Sequence, residues 1–139
     1  MQARSRWIPV AILLSSLMAA GSCSHGNNQI AGRAVADFHA QYNAKQFATL
    51  YNAAHRDFKR SGSYANFNSL MHSLYVNLGK VQSSRNQYLK ITGSEGETLK
   101  LQQKTTFEKG SGFETFLLYI ENGKAALAGY KISSRQLDN

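Results

Sequence analysis

Cysteine is almost missing from this chain: Cys23 is the only one. A lone cysteine closes no intramolecular disulfide, so a disulfide scaffold is excluded. No cluster of His, Cys and carboxylate residues has metal-ligand spacing, and no metal or cofactor is expected. Proline is as scarce: Pro9 is the only one, and nothing after it forces a helix or strand to break. The longest apolar run, Trp7 to Ala20, is shorter than the ~20 residues that span a bilayer. Acidic residues are outnumbered two to one, 8 against 16 basic. A nucleophile elbow, a phosphate-binding loop and paired carboxylates at helical spacing are also absent, so no familiar catalytic signature is present.

What the sequence does have begins at its N-terminus. Arg4 and Arg6 precede the apolar run, and the small residues Ala20-Gly21-Ser22 lead into Cys23. Charge, apolar stretch and small closing residues make a secretory signal. A cysteine at the first position after the cut resembles the bacterial lipoprotein box, with Ala20 where leucine is commonest. The reading is a leader over 1–22, cleavage between Ser22 and Cys23, and lipidation of the Cys23 thiol. An ordinary signal peptide with a chance cysteine is the plainer alternative. Each buried acyl methylene contributes about 0.8 kcal/mol, and two chains anchor stably. The expected address is the periplasmic face of an outer membrane, since Ser24 rather than aspartate follows the cysteine.

Residues 23–29 are polar after the cysteine and read as a short flexible tether, reaching roughly 20 Å if extended. Residues 30–139 are enough for a single domain with a single core. The formal charge of +8 loses Arg4 and Arg6 with the leader but stays basic. An exported protein rarely meets nucleic acid, so none is expected as a partner. The dense cluster Arg56-Asp57-Phe58-Lys59-Arg60 reads as a helix end, where cations complement the helix dipole.

The chain then divides into helices followed by strands. Ala34, Phe38 and Tyr42 recur at four-residue spacing and predict a helix over 30–44. Phe47, Leu50, Tyr51, Ala54 and Phe58 predict a second from Gln46. Ser63 is a candidate N-cap for a third, with the stripe Phe67, Leu70, Met71, Leu74, Leu78 and a stop at Gly79. After Gly79 the period becomes two. Strands are predicted over 81–92, 98–109, 113–121 and 125–133, with turns at Gly93–Gly96, Gly110–Gly112 and Asn122-Gly123. Asn-Gly between two strands is the signal of a type I′ hairpin. The expected fold is α+β: three helices, then a four-stranded antiparallel meander curved around the third helix.

The run Thr105 to Phe116, then Asn122-Gly123-Lys124, Gly129-Tyr130-Lys131-Ile132-Ser133-Ser134, and the junction Leu78-Gly79-Lys80-Val81 with Ser84-Arg85, resembles a family of small exported bacterial proteins. It is catalogued as domain of unknown function number 4019. Ala125 stands where that family often carries an aromatic residue. The resemblance implies an architecture like the cystatin and nuclear-transport-factor-2 folds, with a sheet wrapping a helix around a cone-shaped pocket. It brings no activity.

Candidate chemistry is confined to His39, His55, His72, Asp37, Asp57, Glu114 and the tyrosines. His39 and His72 fall beside the apolar stripes and are expected to face solvent. His55 adjoins the basic cluster. Glu108 and Glu114 flank the Gly110 turn and are expected to pair with Lys109 or Lys104. Phe107, Phe113, Phe116, Tyr119 and Tyr130 are expected to pack in the core or across strands. No catalytic residue is assigned. Three functions remain, in order. One is a non-enzymatic membrane-anchored lipoprotein that binds a partner protein or envelope component. Another is a carrier of a small apolar ligand. The last is a small isomerase-like enzyme, which needs a carboxylate or histidine in a cavity with a tyrosine in reach.

Overall fold

The computed structural model of the chain describes residues 23–93 and 96–138. The expected leader, 1–22 with Ser22 at its cut, lies outside them, as do Ser94 and Glu95 of the first turn. The order of elements is α1 (Cys23–Asn43), α2 (Phe47–Ala53), α3 (Arg56–Ser61), α4 (Tyr64–Leu78), β1 (Val81–Gly93), β2 (Gly96–Phe107), β3 (Gly110–Glu121) and β4 (Lys124–Ser133), closed by a 3-10 turn at Arg135–Leu137. The four strands form one antiparallel sheet in sequence order. This is the expected α+β class, with four helices rather than three among the described residues.

In α1, Ala31, Val35, Phe38 and Tyr42 are buried. Steps of four, three and four keep them on one face. The segment Ser24–Gln29, expected as a flexible tether, is instead the start of this helix. The Asn27 amide donates to the Glu97 carboxylate and so ties this end of α1 to the start of β2. At 1.5 Å per residue, Cys23 is about 6 Å along the axis from Asn27.

The expected second helix is broken in two. Ala54 is extended (φ −67°, ψ 154°), and the His55 backbone N–H donates to Leu127 O on β4 at 2.8 Å rather than back into the helix. The basic cluster is therefore not the end of a long helix but the whole of α3, with Asp57 in its first turn and Lys59 and Arg60 in its last. That order of charges suits the helix dipole. Ser63 caps α4 by accepting from Asn66 N, and Gly79 ends it with φ 77°. A Cβ at Gly79 would stand 2.5 Å from a Glu108 carboxylate oxygen. That oxygen accepts from Lys80 N, joining the helical half to the β2–β3 turn.

Asn122 and Gly123 both have positive φ, as a type I′ hairpin requires. β4 carries one irregularity. Leu117 pairs with Gly129 and Leu118 with Leu127, which leaves Ala128 as an extra residue. Inward positions therefore pass from Ala125 and Leu127 to Tyr130 and Ile132. The helix that lies along the sheet is α1, whose backbone approaches β1, β3 and β4. The expected third helix, now α4, packs on α2 and the closing turn. Among the described residues no helix is long and apolar enough to cross a membrane.

Candidate functional site

Alternation places a polar group in the middle of the core. On β2 the buried side is Leu99, Leu101, Gln103, Thr105 and Phe107; on β3 it includes Glu114, Phe116, Leu118 and Ile120. Gln103 and Glu114 are direct cross-strand partners. His39, one turn beyond Val35 on α1, comes down on them and is itself buried.

Glu114 is only 1% exposed and is met by four donors. Its Oε2 accepts from His39 Nε2 at 2.9 Å, Gln103 Nε2 at 2.9 Å and Thr105 Oγ1 at 2.5 Å. Its Oε1 accepts from Tyr130 Oη at 2.7 Å. Burial by itself pushes the Glu114 carboxyl up. The hydrogen bond and charge of His39, with the Thr105 and Gln103 donors, outweigh burial and hold it below the ordinary glutamate value. Tyr130 moves the other way, raised by burial and then by the adjacent Glu114 charge. Tyr42, which donates to Gly79 O at 2.9 Å, is raised for the same two reasons.

These positions correct several expectations. His39 does not face solvent; it shares the Val35–Phe38–Tyr42 face. Glu114 does not pair with Lys104 or Lys109, because strand parity turns it inward with Phe116 and Leu118. Lys109 Nζ instead donates to Val76 O at 2.8 Å. Phe113 lies outside the core and is 65% exposed. His72 is exposed, as expected. His55 caps α3, accepting from Asp57 N, and its ring stacks on Tyr119. Asp57 contacts His55 and Arg60. Asp37 is exposed on α1. Cys23 opens α1. The inward parity of Glu114 was visible in the sequence; its partner 75 residues away was not.

Chemically Glu114 is saturated, while the side-chain oxygen of Gln103 beside it is buried without a hydrogen-bond partner. A carboxylate held by four donors is a weak base, and its reaction partner would need space beside it. The cavity between α1, α2 and the sheet is lined by Phe38 and Phe116 but not by His39, Glu114 or Tyr130; Gln103 and Glu114 border a depression shared with Arg85, Lys104 and Phe113, and Tyr130 borders the next one. Phe116 lies between, with ring centroids 5.1 Å from Phe38, 5.9 Å from His39 and 5.1 Å from Tyr130. The group joins helix to sheet, and its ionised carboxylate and fixed donors fix the position of α1. Among the described residues no group of His, Cys, Asp and Glu could hold a metal ion.

The opposite side of the sheet has the other unusual arrangement. Arg85, Lys104 and Phe113 are successive cross-strand neighbours on β1, β2 and β3. Directly opposed like charges destabilise a sheet. Gln87, Gln102 and Thr115 line the same depression, and Lys100 and Lys131 border the next one with Thr115 and Leu117. The only carboxylate on the described outer positions of β1–β4 is Glu121, paired opposite Lys124 at the far hairpin. None of these cations is in an ion pair within the described residues.

No family model matches this chain, and no curated protein or solved structure matches it.

Proposed function

We propose that this protein is a non-enzymatic binding module of the bacterial envelope, held to the membrane through lipid on Cys23, and that its working surface is the outer side of the meander. The observation that carries this is the Arg85–Lys104 pair beside exposed Phe113. Two opposed cations are unfavourable in an isolated sheet, and a bare aromatic ring leaves apolar surface in water. An acidic protein surface with an apolar pocket would relieve both, with the aromatic as the anchor of the interface.

The position of the anchor supports a protein partner over the bilayer itself. Asn27, four residues after Cys23, is bound to Glu97 at the start of β2. Lys104 is seven residues further along that strand, or about 23 Å at 3.3 Å per residue. The cations are therefore presented at the far end of the sheet from the lipid. As Ser24–Gln29 is helical, that separation is held by α1 rather than by a loose tether.

The test is paired capture from native membranes with quantitative mass spectrometry. Wild-type protein should enrich a set of proteins that Arg85→Glu/Lys104→Glu loses and that the control Arg135→Glu retains. An identical set from all three refutes the surface. Separately, Cys23→Ser should leave the membrane fraction after a salt wash. Continued membrane partition refutes the lipid anchor.

A further inference from the structure

A second site, independent of the sheet surface, is present between α1, α2 and the inner side of the sheet. It is a cavity of about 170 Å³. Its space exists because short side chains stand where longer ones would fill it: Ala34 on α1, Ala53 at the end of α2 and Ala54 just after it, Ala125 and Ala126 on β4. Its floor is apolar, from Phe38, Phe116 and Leu118. A closed apolar cavity of about 150 Å³ admits a benzene-sized molecule.

Two polar residues line this cavity, both on α1 one turn apart. Asp37 is exposed, and among the described residues no cation lies within ion-pair distance of it. Gln41 carries a side-chain oxygen that is buried with no hydrogen-bond partner. Residues four apart on a helix lie side by side. A buried acceptor without a donor is costly, and an unpaired carboxylate at an apolar opening favours a positive charge. Both groups therefore ask for the same thing, an N–H donor carrying charge, placed at the rim of an apolar slot.

We propose that this cavity binds a small organic cation, a primary ammonium on an apolar body about the size of a phenyl ring. The apolar part lies against Phe38, Phe116 and Leu118. The ammonium donates to the Asp37 carboxylate, and to Gln41 Oε1 once that side chain turns its buried oxygen toward the cavity. A neutral ligand of the same shape satisfies neither acceptor, and an anion is repelled by Asp37.

The test is a titration of the full chain, labelled at alanine methyls, with benzylammonium, toluene and benzoate followed by NMR. Benzylammonium should shift the methyls of Ala34, Ala125 and Ala126 and bind at least tenfold tighter than the other two. Asp37→Asn should remove that preference and leave toluene binding unchanged. Ala53→Leu, at an exposed position, and Ala126→Leu fill the slot and should weaken benzylammonium and toluene alike. Equal affinity for the three probes, preference for benzoate, no shift at these methyls, or full benzylammonium preference in Asp37→Asn each overturns the proposal.

Discussion

Replacing Glu114 by Gln keeps the shape of the side chain and removes only its charge. Three donors converge on Oε2: His39, Gln103 and Thr105. Hydrogen bonds to a charged acceptor contribute about 1.5–3 kcal/mol and neutral ones about 0.5–1.5, so each weakens by about 1 kcal/mol. Tyr130 now meets an amide N–H in place of Oε1 and loses its acceptor. The expected destabilisation is about 3 kcal/mol, at the lower edge of what breaking a buried ion pair does. With a urea m-value of about 1–3 kcal/mol/M, the midpoint should fall by at least about 1 M. Acid gives a second reading. The folded-state value of Glu114 is lowered, so its stabilisation is present above the unfolded value, near 4.5, and is lost as pH falls through the folded value. Wild-type stability should therefore decline toward that of Glu114→Gln as the pH is lowered below about 4.5. A loss under about 1 kcal/mol, or a gap that persists undiminished at the lowest pH where both still fold, refutes the account of Glu114 as an ionised, donor-saturated carboxylate.

Other consequences are simpler. Gly79→Ala places a Cβ 2.5 Å from the Glu108 carboxylate at φ 77°; thermal melting should show a loss of about 1–3 kcal/mol. Phe113→Ser should change stability by no more than about 0.5 kcal/mol, as its ring is 65% exposed, while removing the partners captured by the wild type. Tyr42→Phe leaves the buried Gly79 carbonyl without its 2.9 Å donor and should cost about 1–3 kcal/mol in urea unfolding.

Legibility in the sequence followed the range of the interaction. The cap at Ser63, the stop at Gly79 and the Asn122-Gly123 hairpin are set by residues within one turn of each other, and each is where local chemistry places it. Period two located all four strands, but the turn expected at Gly110–Gly112 stands at Glu108-Lys109, and Gly110 to Gly112 pair with Phe107 to Thr105 as the start of β3. The same period also held the inward direction of Glu114, which shares parity with Phe116 and Leu118; the charge of the residue masked that signal. The break after Ala53 had no local cause. Tyr51, Ala54 and Phe58 continue a helical stripe, and the chain leaves it because the His55 N–H is taken by Leu127 on β4. Ala128 is similar: Gly129 inside the strand is the one local hint of an extra residue, and it does not say which way the strand resumes. Yet its bulge is what brings Tyr130 inward to Glu114.

By itself, then, the sequence determined the class of fold, the order of helices before strands, the Asn122-Gly123 turn and the one cysteine on which an anchor can be built. These depend on periodicity and on backbone preferences within a few residues. Only the tertiary structure decided that α1 rather than α4 lies along the sheet, that His39 and Glu114 meet across 75 positions, that Arg85 and Lys104 stand opposed beside Phe113, and that five alanines from three elements leave a cavity. Each of these joins residues distant in the chain, and strand register and helix placement are settled only when the whole core packs at once.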